Sequence, residues 1–323
     1  MKIALITDPI KLDYPDPIKA PYKNTLDSVA DSIANAIEEL GYACKHFKAN
    51  SDLGDKVTKY HPDFVFNRSN LDHQNKGIAF TPDLLDRLGI SYTGPNAKNC
   101  IIAFDKCLTK TLLKSLDIPT PEFILVADPK AIKITENMTF PLFVKPITGG
   151  CSLGIEDENI VFTQESCEAV CKNLINTFDQ PVIVEEFLNG REFTVGLLGN
   201  APPRTLPILE FINHAKNAYY FRSFTSKMIM DAYEKEACPA AVSKKEENEM
   251  IDLAVKAYSA LGCRDYARID LRFNEDKEPF VLEVNAFPSL MPGESSFTHM
   301  AEESGLSFPE LIREILVIAS KRY

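Results

Sequence analysis

The sequence predicts an N-terminal α/β unit built on a parallel sheet, followed by two α+β lobes. Three observations carry this reading. Over residues 1 to 97, strand-like apolar runs alternate with helix-period segments, which requires a parallel sheet with crossovers. From Phe123 onward, short strands crowd around single helices. Two late strands, YARIDLRF (Tyr266 to Phe273) and FVLEVNAFP (Phe280 to Pro288), carry charged and amide side chains where an ordinary strand carries Val or Ile.

Lys2 to Thr7 reads as a buried strand. The helix after it sets Leu26, Val29, Ile33, Ile37 and Leu40 on one stripe and stops at Gly41. Tyr42 to Phe47 and Phe64 to Asn67 are further strands, then come a helix over Thr81 to Leu88 and a short strand in GISYTGP. No G-x-G-x-x-G follows the first strand, which excludes a dinucleotide site there. The loops Asp8 to Lys23 and Arg68 to Lys76 fall at strand carboxyl ends, where such sheets bind ligands.

Asn99 to Leu116 reads as one helix, with Ile101, Ile102, Phe104, Leu108, Leu112 and Leu113 at helical spacing, ended by the prolines of DIPTP. Phe123 to Val126, Leu142 to Lys145, Ile160 to Thr163 and Val182 to Glu185 are short strands around a helix over Gln164 to Asn176. In the last third, EFTVGLLGN runs into a Gly-Asn turn and PRTLPILEF returns antiparallel to it. Phe221 to Asp231 lacks a period and reads as a long functional loop. Helices over Lys244 to Leu261, closed by Gly262, and over Phe308 to Ser320 complete the chain. The expected boundaries are 1–97, 98–183 and 184–323.

With 323 residues, 45% hydrophobic and 25% charged, the chain has the composition of a soluble globular protein. The net charge of -11 argues against nucleic acid as a partner, so any bound phosphate needs a local group of cations. The apolar run in MKIALITDP is too short for a signal-peptide core, and no run reaches membrane-spanning length. A cytoplasmic location is expected. Eight cysteines without a C-x-x-C pair fit free buried thiols in a reducing compartment, and Cys167 and Cys171, four apart on a helix, read as packing rather than metal ligands.

FPLFVKPITGGCSLGI (Phe140 to Ile155) is a strand ending in Lys145, then a glycine-rich turn. Backbone N–H groups at Gly149, Gly150, Cys151 and Ser152 can converge on phosphate, with Lys145 as cation; a surface lysine beside a flexible loop is the plainer alternative. The same stretch holds G-x-S-x-G, Gly150 to Gly154, the pattern of a hydrolase nucleophile elbow. That motif needs a helix after the serine, whereas IEDENIVF leads into a strand, and only His299 is left open as a partner by spacing. No G-K-[ST] follows the glycines, so a Walker A loop is excluded. PVIVEEFLNGREFTV (Pro181 to Val195) offers backbone groups at Glu186 to Leu188 for a base and a carboxylate for a ribose, with a solvated acidic turn as the alternative. Strand alternation gives Arg268 and Asp270 one shared face, and Glu283 and Asn285 another. Such groups are costly to bury unless a charged ligand sits between them, and a hard divalent cation bound to phosphate answers that need.

Together, Lys106, Lys145 with its glycine loop, EEFL, Glu192, ARID at 267 to 270 and LEVNAFP at 282 to 288 resemble the ATP-grasp superfamily, and within it are most similar to the D-alanine:D-alanine ligases. The resemblance includes GISYTGPNAKNCIIAFDKCLTK and so covers nearly the whole chain. It implies an ATP-grasp fold, the N-terminal parallel-sheet domain preceding two α+β lobes that enclose ATP. It implies a ligase that activates a carboxylate as an acyl phosphate for attack by an amine, releasing ADP and phosphate. Lys106 and Lys145 would contact the phosphates under the loop Thr148 to Gly154. Glu185, Glu186, Phe187 and Leu188 would frame the adenine, and Glu192 the ribose. Asp270, Glu283 and Asn285 would hold two magnesium ions, with manganese as a substitute. Arg268 would stabilise the oxyanion, joined in catalysis by Ser152 and by Lys227 of a mobile lid in SFTSKM. Amino-acid-like substrates are implied, and dimers are usual in the resembled family.

The substrate side departs from that pattern. TDPIKLDYPDPIKAPYKN replaces a glycine-rich turn and glutamate, leaving Asp8, Asp13 or Asp16 as substitutes or as solvated loop acids. The family's His-Gly and Gly-Glu-Asp signature is replaced by NRSNLDHQNKGIAFTP. After LEVN stands AFPSLMPGESS instead of T-S-P-G-M-T and a serine, with Ser289 in the glycine's place and Glu294 near the serine's. A carboxylate there would repel a substrate carboxylate, so either Ser295 or Ser296 takes the serine's part or the acceptor differs. The expectation is an ATP-dependent ligase with changed substrates. The alternatives are an authentic, divergent D-alanine:D-alanine ligase and a nucleotide-binding protein without catalysis, for which Arg268 would be superfluous.

Overall fold

Strand β1 (Lys2–Thr7) runs parallel to β2 (Ala43–Lys48) and β3 (Phe64–Arg68), in the order β2-β1-β3. The computed structural model describes residues 1–9, 16–69, 79–149, 154–213, 219, 221 and 234–323. Period-two alternation sends Ile3, Leu5, Phe64 and Phe66 to one face, against Val29, Ile33 and Ile37 of α1 (Asp16–Glu39). Ala4, Ile6 and Val65 face α2 (Leu53–Tyr60) and α3 (Phe80–Leu88). Helix α1 ends before Gly41, whose φ of 82° turns the chain into β2. Helix α2 was not expected, since its buried stripe is only Leu53 and Val57. The strand expected in GISYTGP shrinks to one parallel bridge, Val65 to Tyr92, because Gly94 (φ 89°) and Pro95 turn the chain away.

The single helix expected over Asn99 to Leu116 is two, α4 (Ala97–Phe104) and α5 (Lys106–Ser115). Asp105 leaves helical geometry (φ -95°, ψ 111°) so that its carboxylate can cap the Leu108 N–H. The Lys106 N–H is thereby released to donate to the Ile147 carbonyl at 2.9 Å. Strands β4 (Phe123–Val126), β5 (Leu142–Pro146), β6 (Ile160–Val161) and β7 (Val182–Glu186) form an antiparallel sheet in the order β4-β7-β5-β6. Helix α6 (Gln164–Phe178) backs it and buries Cys167 and Cys171 against Leu142, Val144 and Val184.

The third sheet contains β8 (Glu192–Leu198), β9 (Arg204–Thr205), β10 (Leu209–Asn213), β11 (Glu234–Ala237), β12 (Tyr266–Phe273) and β13 (Pro279–Asn285). Its order is β11-β10-β8-β12-β13, with β9 on β8. PRTLPILEF is split at Pro207, which has no N–H for a ladder. Helix α7 (Lys244–Ala260) covers one face through Met250, Leu253, Ala254 and Ala257. On the opposite face, α8 (Ser296–Glu303) and α9 (Phe308–Ser320) join Leu198, Leu209 and Tyr266 in the same core as α1. Buried Asp265 ties Gly94 to Arg322, accepting from the Gly94 N–H at 2.7 Å and from Arg322 at 2.9 and 2.8 Å. Among the described residues, no helix is long and apolar enough to cross a membrane. Of the expected loop Phe221 to Asp231, all but Phe221 lies outside the described residues.

Candidate active site

The register between β12 and β13 sets Arg268 opposite Asn285 and Asp270 opposite Glu283. Directly opposed residues of an antiparallel pair share a face, so the two predicted pairs become one four-residue constellation. On the other flank of β12, Thr194 lies opposite Asp270 and Glu192 opposite Arg272. Asp270 is the hub. Arg268 donates to its two oxygens from Nε and Nη2, both at 2.9 Å, Asn285 Nδ2 donates at 2.8 Å, and the Thr194 hydroxyl at 2.7 Å.

Facing this sheet are three buried lysines. Lys106 Nζ, brought in by the break at Asp105, donates to the Gly149 carbonyl at 3.0 Å and lies 4.0 Å from Glu283 Oε1. Lys145, at the end of β5, pairs with Glu185 Oε1 at 2.5 Å, and Lys110 Nζ lies 3.0 Å from Glu185 Oε2. Burial pushes the Lys106 ammonium below its usual range and lowers Lys110 to about 8. Burial alone would raise Glu185, but Lys110 and Lys145 outweigh it and hold that carboxyl below the usual range. Three ammoniums against the two carboxylates Glu185 and Glu283 make a cationic spot in a chain of net charge -11. That is the local cation group a phosphate would need.

One cavity joins Lys106, Lys145, Glu185, Glu186, Phe187, Leu188, Glu192, Arg268, Asp270 and Glu283. At one end, the Arg272 guanidinium lies 4.7 Å from the centre of the Phe187 ring, with Phe143 and Phe221 beside it at 6.1 and 6.4 Å. Arg272 also faces Glu192 Oε2 at 3.4 Å. The backbone N–H groups of Glu186 and Phe187 are already engaged, donating to the carbonyls of Glu122 and Pro141. The Glu185 side chain points inward to the lysines, and burial raises the carboxyl of Glu186. Gly150, Cys151, Ser152 and Lys227 lie outside the described residues. Lys110, Thr194 and Arg272 were not singled out from the sequence. Arg272 continues the alternation Arg268-Asp270 and could have been found by it; Lys110, four residues after Lys106, looks like the solvated side of a helix.

Residues 112–317 match the family model described as D-ala D-ala ligase C-terminus, well over half of the chain. The chain belongs to the D-alanine–D-alanine ligase family. A D-alanine–D-alanine ligase of Desulforudis audaxviator is 31% identical over 294 residues, covering 90% of this chain and 92% of the relative. An uncharacterised protein, y4sG, of Sinorhizobium fredii is 29% identical over 318 residues, 96% of this chain and 92% of its own. The crystal structure of the Bacillus anthracis D-alanine–D-alanine ligase complexed with ATP has a TM-score of 0.77 at 21% identity, covering 100% of this chain and 98% of that one. The fold is ATP-grasp.

Asp8, just past β1, accepts from the Ser69 hydroxyl at 2.6 Å, while Asp13 lies outside the described residues. Glu294 is exposed, and Ser295 caps α8 by accepting from the Thr298 N–H. Ser296 Oγ donates to Glu236 Oε1 at 2.7 Å, and His299 Nδ1 lies 2.9 Å from Glu236 Oε2. Both serines are thus engaged inside the protein, and His299 pairs with Glu236. A 3₁₀ turn over Asp157–Asn159 and then β6 follow Gly154, not the helix of a nucleophile elbow.

Proposed function

We propose that this protein is an ATP-dependent carboxylate–amine ligase that joins amino acids or related acids through an acyl phosphate, with a substrate pair changed from two D-alanines. The observation that carries this is the cross-strand set Arg268, Asp270 and Glu283, with Asn285 bonded to Asp270, at the cavity that Lys106 and Lys145 also line. A polyphosphate held there has ammoniums on one side and oxygen donors on the other. Asp270, Glu283 and the Asn285 amide oxygen are hard donors, which suit magnesium or manganese. Among the described residues no group of three His, Cys, Asp or Glu surrounds a metal position, so phosphate and water must supply part of the shell. Bound there, two such ions would neutralise phosphate charge and orient the transferred group.

In this reading Lys106 and Lys145 orient the ATP phosphates, Phe187 and Leu188 flank the adenine with Glu185 and Glu186 behind them, and Glu192 meets the ribose. Gly149, Gly150, Cys151 and Ser152 close over the phosphates with the Lys227 lid. The donor carboxylate oxygen attacks the terminal phosphorus and the bond to the ADP oxygen breaks. The acceptor nitrogen then attacks the acyl carbon, phosphate leaves, and the nitrogen gives up a proton. Arg268 faces the oxyanion of that second step, where an aimed guanidinium acts most strongly. Units at 1–97, 98–183 and 184–323 and a dimeric assembly belong to the same proposal.

The changed substrate pair is supported by Ser296, whose hydroxyl is directed to Glu236 rather than left for a substrate carboxylate. The second reading, an authentic D-alanine–D-alanine ligase, is favoured by the 31% identity to the Desulforudis audaxviator enzyme. ADP release against a panel of D- and L-amino acids separates them. Turnover that requires D-alanine alone would establish the second reading; no turnover with any acid and amine would overturn both.

A further inference from the structure

Glu185 is a single buried carboxylate shared by two ammoniums, and they are not equivalent. Lys145, on β5, lines the cavity. Lys110, on α5, is 1% exposed and is fixed from behind, donating to Thr120 Oγ1 at 2.7 Å. Thr120 donates onward to the carbonyl of Val281 at 2.8 Å, on β13 two residues before Glu283. Among the described residues Glu185 Oε2 accepts no aligned hydrogen bond, and the Lys110 ammonium 3.0 Å away balances its charge.

A phosphate in the cavity would compete with Glu185 for Lys145. If Lys145 turned to the phosphate, Glu185 would lose one of its two cations while still buried, and a buried charge without a partner is strongly unfavourable. Lys110 can remain in place, because it is anchored to Thr120, and neither residue lines the cavity. The Thr120 to Val281 link ties the same lysine to the strand that carries Glu283 and Asn285.

We propose that Lys110 is a positioning residue for nucleotide binding: it keeps the Glu185 carboxylate balanced and in place, so that Lys145 can exchange that partner for phosphate. The inference rests on the ligase reading above. Lys110 acts through Glu185 and does not touch the nucleotide.

The test is direct binding of ADP with magnesium, measured by calorimetry, together with thermal unfolding of the nucleotide-free protein. Lys110→Met should weaken ADP binding by about 10- to 100-fold, the range seen when a group that orients a metal ligand is removed. Lys110→Arg should recover most of that loss. The deciding readout is a double-mutant cycle, in which adding Lys110→Met to Glu185→Gln should change ADP affinity by less than about 3-fold, because both act through one carboxylate. The neutral pair in that double variant also provides a folded protein should Lys110→Met alone fail to fold. ADP affinity unchanged in Lys110→Met, or losses that add fully in the cycle, would overturn the inference while leaving the ligase reading intact. Absence of nucleotide binding by the unaltered protein would overturn the reading itself, and this inference with it.

Discussion

Arg268 and Asp270 form a two-pronged ion pair along a single strand, with Nε and Nη2 of the guanidinium each 2.9 Å from a carboxylate oxygen. The pair solves two problems at once. Under the proposed reaction it fixes the direction of the guanidinium that would face developing negative charge, and it gives the carboxylate proposed for magnesium a charged partner. Arg268→Ala is expected to lower kcat by about 10²- to 10³-fold, the range for losing an oxyanion donor, with ADP affinity changed far less. Steady-state kinetics beside calorimetry would check the split; an equal loss in both would move Arg268 to nucleotide binding.

Glu185 gives a pH signature. Its folded-state pKa is depressed by Lys110 and Lys145 against the opposing pull of burial. A depressed carboxyl stabilises the fold above the ordinary glutamate range and loses that contribution as pH falls through the folded value. Glu185→Gln should therefore cost about 3 to 5 kcal/mol near neutral pH, as for a broken buried pair, and the gap to the unaltered protein should narrow in acid. Thermal melts of both proteins from neutral to acidic pH measure it, and a constant gap would contradict it.

Gly190 is held by close approach. A Cβ added there would sit 2.2 Å from the Phe273 carbonyl oxygen, and the Gly190 carbonyl accepts from Arg272 Nε at 3.1 Å. Gly190→Ala should destabilise by about 1 to 3 kcal/mol through overpacking. It should also shift Arg272 from Phe187, seen as weaker ADP binding than denaturation alone explains.

Asp265 joins three parts of the chain and is fully buried. Arg322→Ala leaves that carboxylate without its guanidinium and is expected to cost about 3 to 5 kcal/mol in urea unfolding, with kcat little changed at low temperature. A loss below about 1 kcal/mol would show that Gly94 and Asn200, whose Nδ2 donates to Asp265 at 3.1 Å, suffice to hold it.

Much of this was legible in sequence because it is periodic. The shared faces of Arg268 with Asp270 and of Glu283 with Asn285 followed from period-two spacing, and cross-strand pairing then joined them; the bulge beside Asp270, which puts Val281 and Val284 in one core, did not show in the spacing. What stayed hidden is non-local or short. Asp105 sits in a run of helical spacing, and only the demand for a cap at Leu108 breaks it. Glu236 meets Ser296 and His299 across 60 and 63 residues, and no local pattern announces that contact. Lys110 is polar on a helix, and only the fold reveals that its side of the helix is the inside.

The most direct measurement follows one oxygen. With the acid and amine that the amino-acid panel identifies, the acid's carboxylate is labelled with heavy oxygen and the released phosphate is analysed by mass spectrometry. An acyl phosphate route transfers one labelled oxygen to phosphate for every bond formed, alongside ADP, and Glu283→Gln should abolish the transfer. Label retained wholly in the acid and product, label appearing in AMP, or transfer unaffected by Glu283→Gln would contradict it.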